Sequence, residues 1–334
     1  MCRTGSGGRA WTWFVVHWPP HISDLGLTED VTLFIHSQWP IPQPIFIAYR
    51  AFLACYTLTW LTMSIVNAGR TTGLGGFFVF LTNWTYIVLS LYLIVVSIST
   101  AYASYRFRLR TSDVNRNEQD GQADGNDNCP SSSQSDAEET QGDAVPRTTP
   151  AHSPVYLKIT WVLFNVCLTF GPIISIIYWA FIFDPAFVYA NQGGAFGVAL
   201  TVHRHAFNTV FAYLDLAVSA IPIRFWHFVY PCAYGILYVF FSLVYYWAGG
   251  TNPYIDDPAI YPTLLDWTNA GKTSLIIVAF VFIVIIFHSI AFGCFKLRMY
   301  VASRFHVLTR FQPHARTLQN EHHADEENQE TDAV

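Results

Sequence analysis

TSLIIVAFVFIVIIFHSIAFGCF, residues 273–295, runs its whole length without a charged side chain. As an α-helix rising about 1.5 Å per residue it reaches roughly 34 Å, enough to cross a hydrocarbon core of about 30 Å. A helix that is apolar on every face has no side to turn toward water. Lipid is therefore the expected solvent for this run.

Five further runs share its character: Pro44 to Asn67, Gly76 to Tyr102, Leu157 to Phe183, Val198 to Ile223, and Phe225 to Trp247. The fourth of the six, Val198 to Ile223, is the most polar. The whole chain agrees with this reading: 52% of residues are hydrophobic and only 12% charged, about half the charge of a soluble domain. The expected fold is all-α, a six-helix transmembrane bundle with a disordered cytosolic loop and tail. Residues 1–43 form an N-terminal cytosolic or interfacial segment, and residues 44–103 carry helices one and two. Residues 104–156 are a polar loop, residues 157–299 carry helices three to six, and residues 300–334 are an acidic tail. From Thr111 to Pro150 almost every residue is polar or small, so ordering that segment buries too little apolar surface to offset the entropy lost.

Composition also bounds function. A net charge of −5 gives no footprint for nucleic acid. Cys2, Cys55, Cys129, Cys167, Cys232 and Cys294 show no metal-ligand spacing and read as small fillers. No metal and no cofactor is expected, and His322-His323 reads as part of a solvated tail. The aromatic run Trp11 to Trp18 lacks the flanks of a cleavable signal peptide and fits the headgroup region. Arg106, Arg108, Arg110, Lys158, Arg224, Lys296, Arg298, Arg304 and Arg310 gather at one set of helix ends, against Arg70 and Lys272 at the other. The richer side is expected to be cytosolic, which places both termini there.

Strongly polar side chains inside spanning helices face the bundle or mark a site. In the fourth helix Thr201, His205, Asn208, Asp215 and Ser219 follow one another at steps of 4, 3, 7 and 4. At ~100° per residue they fall within about 80° of arc. Two readings of this stripe stand side by side: hydrogen-bonding glue between helices, and a polar cavity or reaction site. His205 and Thr82 lie at similar depths from the non-cytosolic face. If their helices adjoin, the imidazole is placed to act as general base and the hydroxyl as nucleophile. Asn83, Asn208 or a backbone N–H would then stabilise an oxyanion. The structural alternative is that a lone Thr and a lone His serve packing. His203-Arg204-His205 is a poor metal motif, because helical positions two apart diverge by about 200°.

Toward the other face, Arg50 and Asp215 match in depth and are expected to form a structural ion pair, with Arg50 snorkelling to the headgroups as the alternative. Reversing both charges is expected to restore folding lost in either single variant. Asn83-Trp84-Thr85 fits a glycosylation acceptor but sits in an apolar run. Pro172 and Pro231 are expected to kink their helices. Tyr230, Tyr234, Tyr245 and Tyr246 offer hydroxyls to a cavity, with an interfacial aromatic belt as the alternative for the last two.

Several stretches resemble the rolling stone family of multi-pass membrane proteins. They are Ser37-Gln38-Trp39, Tyr49-Arg50, GGFFVFLTNW at 75–84, WVLFNV at 161–166 and HAFNTVFAYLDLAVSAIPIRFWHFVYP at 205–231. YGILYVFFSLVYYWAGGTNPY at 234–254, IYPTLLDW at 260–267 and GKT at 271–273 continue the likeness. It implies a role in cell–cell fusion such as that of myoblasts, or in membrane organisation; plasma membrane and endoplasmic reticulum both stay open as the location. The chain is also distantly similar to the androgen-induced and androgen-dependent six-helix hydrolases, which cleave fatty acid esters of hydroxy fatty acids with an intramembrane Thr and His. That likeness implies Thr82, which follows Gly75-Gly76, as nucleophile and His205 as base, with a fatty-acyl substrate reaching the site from the bilayer. Thr82 is followed here by Asn83-Trp84, where those enzymes have an aliphatic run. A transporter or channel is the third expectation; a single polar stripe and no visible repeat of helices give it little to build on.

Overall fold

A computed structural model describes residues 25–27, 29–123, 154–262 and 264–305. The aromatic run Trp11 to Trp18, the centre of the polar loop and the acidic tail lie outside the described residues. The rest is helical, and the described residues contain only two isolated β-bridges.

A short α1 (Val31–Ile35), capped by the Asp30 carboxylate on the Thr32 N–H, leads to α2 (Gln43–Thr71), which has proline at its start. There its missing N–H is no loss. A small α3 (Gly73–Phe77) precedes the long α4 (Leu81–Ala123). α5 (Val155–Ile177) continues as a π turn over Tyr178–Ile182. After α6 (Pro185–Asn191) comes a composite helix: α7 (Gly194–Val202), a π turn at His203–Phe207, and α8 (Asn208–Val218). α9 (Val229–Trp247) and α10 (Ala270–Arg304) close the bundle.

Five helical stretches are long and apolar enough to cross a bilayer: residues 43–71, 81–106, 155–182, 225–247 and 267–304. The sixth run is helical too, but its polar residues keep α7–α8 below the apolarity of the others. α5 is the central element, packing on α4, α8, α9 and α10. Its span is 67% buried, against 17–39% for the other four. Trp161, Phe164, Cys167 and Leu168 of α5 meet Tyr86, Leu89, Tyr92 and Leu93 of α4 in the core. Large apolar side chains cover the outside instead: Phe52, Ile98, Phe240, Leu275 and Phe282 are all exposed. A soluble protein rarely leaves so much contiguous apolar surface open. An apolar exterior around a core holding buried polar residues is the pattern of a bundle solvated by lipid.

Three of the boundaries that differ from expectation, and one proline, have a clear local cause. α4 runs past the bilayer to Ala123, into the first part of the polar stretch, because no proline and no glycine before Gly121 interrupts it. The fourth helix begins at Gly194, where Gly193 takes a left-handed φ of 97° that suits a residue without Cβ. It ends at Val218, not Ile223, because Ser219 turns extended and bridges to Ser37. Pro231 lies in the first turn of α9, where a proline needs no kink.

Candidate functional site

The polar stripe of the fourth helix faces inward: Thr201, Asn208, Asp215 and Ser219 are fully enclosed and His205 is 7% exposed. The stripe serves two regions, one at each end of the bundle.

At the first end, an apolar cavity of about 710 Å³ is walled by the start of α4, the end of α5, the π turn of the fourth helix, the middle of α9 and the outer part of α10. Thr82, Asn83, Arg204 and His205 all line it. The structure thus brings the two proposed reactive residues to one space, from helices distant in sequence. The His205 ring stacks on Tyr178, with centroids 3.4 Å apart and planes 12° off parallel. Its Nδ1 is buried without a hydrogen-bond partner, so that nitrogen is not bonded to Thr82. Thr82 adjoins the Tyr261 phenol, which also accepts the Leu81 N–H at 3.1 Å. Tyr261 sits on the 248–266 connection, and burial pushes its phenol up to about 12. It therefore stays protonated at neutral pH.

Asn83 is placed differently from a free oxyanion donor. Its amide nitrogen donates to the Phe77 carbonyl at 2.6 Å, and its oxygen accepts from Arg204 Nη1 at 3.2 Å. Arg204, which the sequence presented only as part of a poor metal motif, is the cationic group of this wall. Its other acceptors are the Leu200 carbonyl at 3.3 Å and the Gln192 side chain at 3.4 Å. Thr201 donates to that same Gln192 oxygen at 3.2 Å. Asn208 is not part of the wall, and both polar atoms of its amide are buried without partners. None of the four tyrosines offered to a cavity lines this one; a fifth on α9, Tyr238, does. Tyr234 bonds Thr85, Tyr230 the Leu25 carbonyl and Tyr245 the Thr251 carbonyl.

His203 and His205 do not converge. His203 stacks on Trp60 at 3.5 Å and bonds Tyr56 at 2.7 Å, on the opposite side from Tyr178. The wall of the cavity also reaches the outer surface: Phe181 is 80% exposed and Ile182 41%, and both line it.

At the other end, Arg50 Nη2 and Asp215 Oδ2 lie 3.7 Å apart, both side chains fully buried. Arg50 also donates to the Phe34 carbonyl at 2.5 Å and Thr100 at 2.6 Å, over the Phe46 ring. Asp215 accepts from the Tyr92 hydroxyl. Arg298 stands nearby and was not singled out by sequence, where it read as one more basic residue at a helix end. Its guanidinium donates to the carbonyls of Leu216 at 2.7 Å, Ser219 at 2.5 Å and Ile221 at 2.9 Å. The last carbonyls of a helix have no partner within it; α8 ends inside protein, where Arg298 serves Leu216, Trp39 serves Ala217 and Ser37 and Gln38 serve Val218, and Arg298 reaches on to the extended residues Ser219 and Ile221.

Comparison with known proteins gives a consistent result. A family model described as "Rost: Protein rolling stone" matches residues 138–319. The Protein rolling stone of Drosophila melanogaster is 26% identical over 287 residues, 85% of this chain and 89% of that protein. No solved structure matches the chain.

Proposed function

The chain belongs to the rolling stone family, and we propose that this member is a multi-pass intramembrane hydrolase of fatty-acyl esters, with Thr82 as nucleophile and His205 as base. One observation carries this reading: Thr82 and His205 stand on the wall of a single apolar cavity that reaches the lipid-facing surface at Phe181 and Ile182. At about 710 Å³ the cavity falls in the range of roughly 300–1,000 Å³ that encloses small ligands. A seated ester would lose its alcohol in two steps. The Thr82 hydroxyl passes its proton to His205 and its oxygen bonds the acyl carbon; the leaving alkoxide takes the proton as the ester bond breaks. Water then attacks acyl-Thr82, giving its proton to His205, and the fatty acid departs with the Thr82 hydroxyl restored.

The protein works, in this reading, with both termini in the cytosol, as the skew of Lys and Arg favours, in the plasma membrane or endoplasmic reticulum. A fluorophosphonate probe tests the chemistry. Wild type labels and releases fatty acid from an ester, while Thr82→Ala and His205→Ala do neither; equal labelling of wild type and Thr82→Ala removes Thr82 as nucleophile.

The second reading, a part in cell–cell fusion, is supported by family membership and by no feature of the cavity. It expects Thr82→Ala to retain full activity in a myoblast fusion assay. The transporter reading gains nothing, since the cavity draws on the first turn of α4 and the last turns of α5, one end of the bundle.

A further inference from the structure

We propose that the cavity binds a lipid bearing a free carboxylate, and that Arg204 is the residue that holds the acid group. The inference rests on the cavity being an acyl-chain site, and is independent of the Thr82–His205 chemistry.

Arg204 is 9% exposed and lines the cavity. Its hydrogen-bond acceptors are a carbonyl, an asparagine and a glutamine, and it adjoins the Tyr254 phenol. All are neutral. Among the described residues no carboxylate lies within ion-pair distance of it. Arg50 meets Asp215 and Arg224 meets Glu29 at 2.6 Å; Arg298, also buried without an ion pair, turns its donors to three backbone carbonyls away from any cavity wall, whereas Arg204 lines one. A cation taken out of water is costly unless a negative partner compensates it. Snorkelling does not relieve this one, because the guanidinium is tied on three sides by Leu200, Asn83 and Gln192.

The surroundings specify the partner. Apart from Arg204, the residues lining the cavity carry no Lys, Arg, Asp or Glu, and most are Ile, Leu, Phe and Val. A ligand complementary to this wall is long, apolar and singly negative at one end. One guanidinium matches one carboxylate, with which it forms paired, charge-assisted hydrogen bonds. A phosphate monoester would bring nearly two charges to a single cation. Asn83 and Gln192, which share the wall with it, hold the guanidinium by hydrogen bonds, so the acid would bind a preorganised donor.

The test uses the full chain in phosphatidylcholine nanodiscs at alkaline pH, with oleate, oleyl alcohol and oleyl phosphate as chain-matched ligands. Wild type is expected to bind oleate about tenfold more tightly than oleyl alcohol, the scale of a charge-assisted hydrogen bond, and more tightly than oleyl phosphate. Arg204→Gln should bind oleate and oleyl alcohol alike, its oleyl alcohol affinity showing the cavity intact. Arg204→Lys should keep part of the preference. Equal affinity of wild type for oleate and oleyl alcohol overturns the proposal, as does a preference surviving in Arg204→Gln or stronger binding of oleyl phosphate. Failure to bind any of the three chains overturns the lipid cavity itself. Acid preference together with no fluorophosphonate labelling supports this inference and removes only the hydrolase.

Discussion

Neutralising one member of the Arg50–Asp215 pair should cost far more than neutralising both would suggest by addition. The charged atoms are 3.7 Å apart and neither side chain touches solvent. At an effective dielectric near 20 their attraction is about 4 kcal/mol, and stranding one buried charge typically costs about 3–5 kcal/mol. Asp215→Asn leaves Arg50 with the Phe34 carbonyl and Thr100; Arg50→Met leaves Asp215 with the Tyr92 hydroxyl and the more distant charge of Arg298. At roughly 2–4 °C per kcal/mol, each single variant should melt about 6–20 °C below wild type. The double variant should fall short of the sum of the two by at least about 2 kcal/mol, because it strands no charge. Reversing both charges recovers only part of the loss, since the Phe34 carbonyl awaits a donor and Tyr92 an acceptor. Reaction of a thiol dye with the fully buried Cys167, in a background where the other cysteines are serine, reports unfolding in detergent. Additive effects, with a coupling under about 0.5 kcal/mol, would refute the pairing.

Arg298→Leu removes the donors for the carbonyls of Leu216 in the last turn of α8 and of Ser219 and Ile221 just beyond it, and should lower stability by about 3 kcal/mol or more, while Arg298→Lys recovers part. The same thermal assay checks it, and a melting point within 2 °C of wild type would refute the capping role. Gly197→Ala sets a Cβ against the Gln192 carbonyl oxygen, a backbone atom. It should cost about 1–3 kcal/mol, lower the melting temperature, and disturb lipid binding by moving Gln192 away from Arg204. Trp60→Leu takes the stacked ring from His203 but leaves the cavity wall untouched. It should destabilise by about 2–4 kcal/mol without changing the relative affinity for oleate and oleyl alcohol in nanodiscs.

The apolar runs were legible because each exceeds the length of a hydrocarbon core, and the inward face of the fourth helix beyond its π turn because Asn208 and Asp215, seven apart, keep a helical step. The depth match of Arg50 and Asp215 followed from the same rise per residue. Arg204 was not legible for a geometric reason. The π turn at His203–Phe207 inserts a residue into the helix, so a phase counted at 100° per residue fails there. His203, Arg204 and His205 all come out buried, where ideal geometry sends neighbours apart. Arg298 was missed because its long stem is compatible with either the headgroups or the interior. Only the end of α8, hidden from local sequence, makes the interior the better place. Tyr261 was missed because its role depends on how a connection folds back over α4.

The exposed position of Phe181 and Ile182 on the cavity's rim changes what the ligand's tail can contribute. A molecule arriving from water gains about 0.8 kcal/mol for each methylene it buries. One that slides in sideways leaves surroundings as oily as the cavity and gains almost nothing per carbon. Chain length then discriminates poorly, and recognition falls to the few atoms at the polar end. Detergent tails, present in excess, compete for the same opening on equal terms, so an assay in micelles reads occupancy by the solubiliser as absence of affinity.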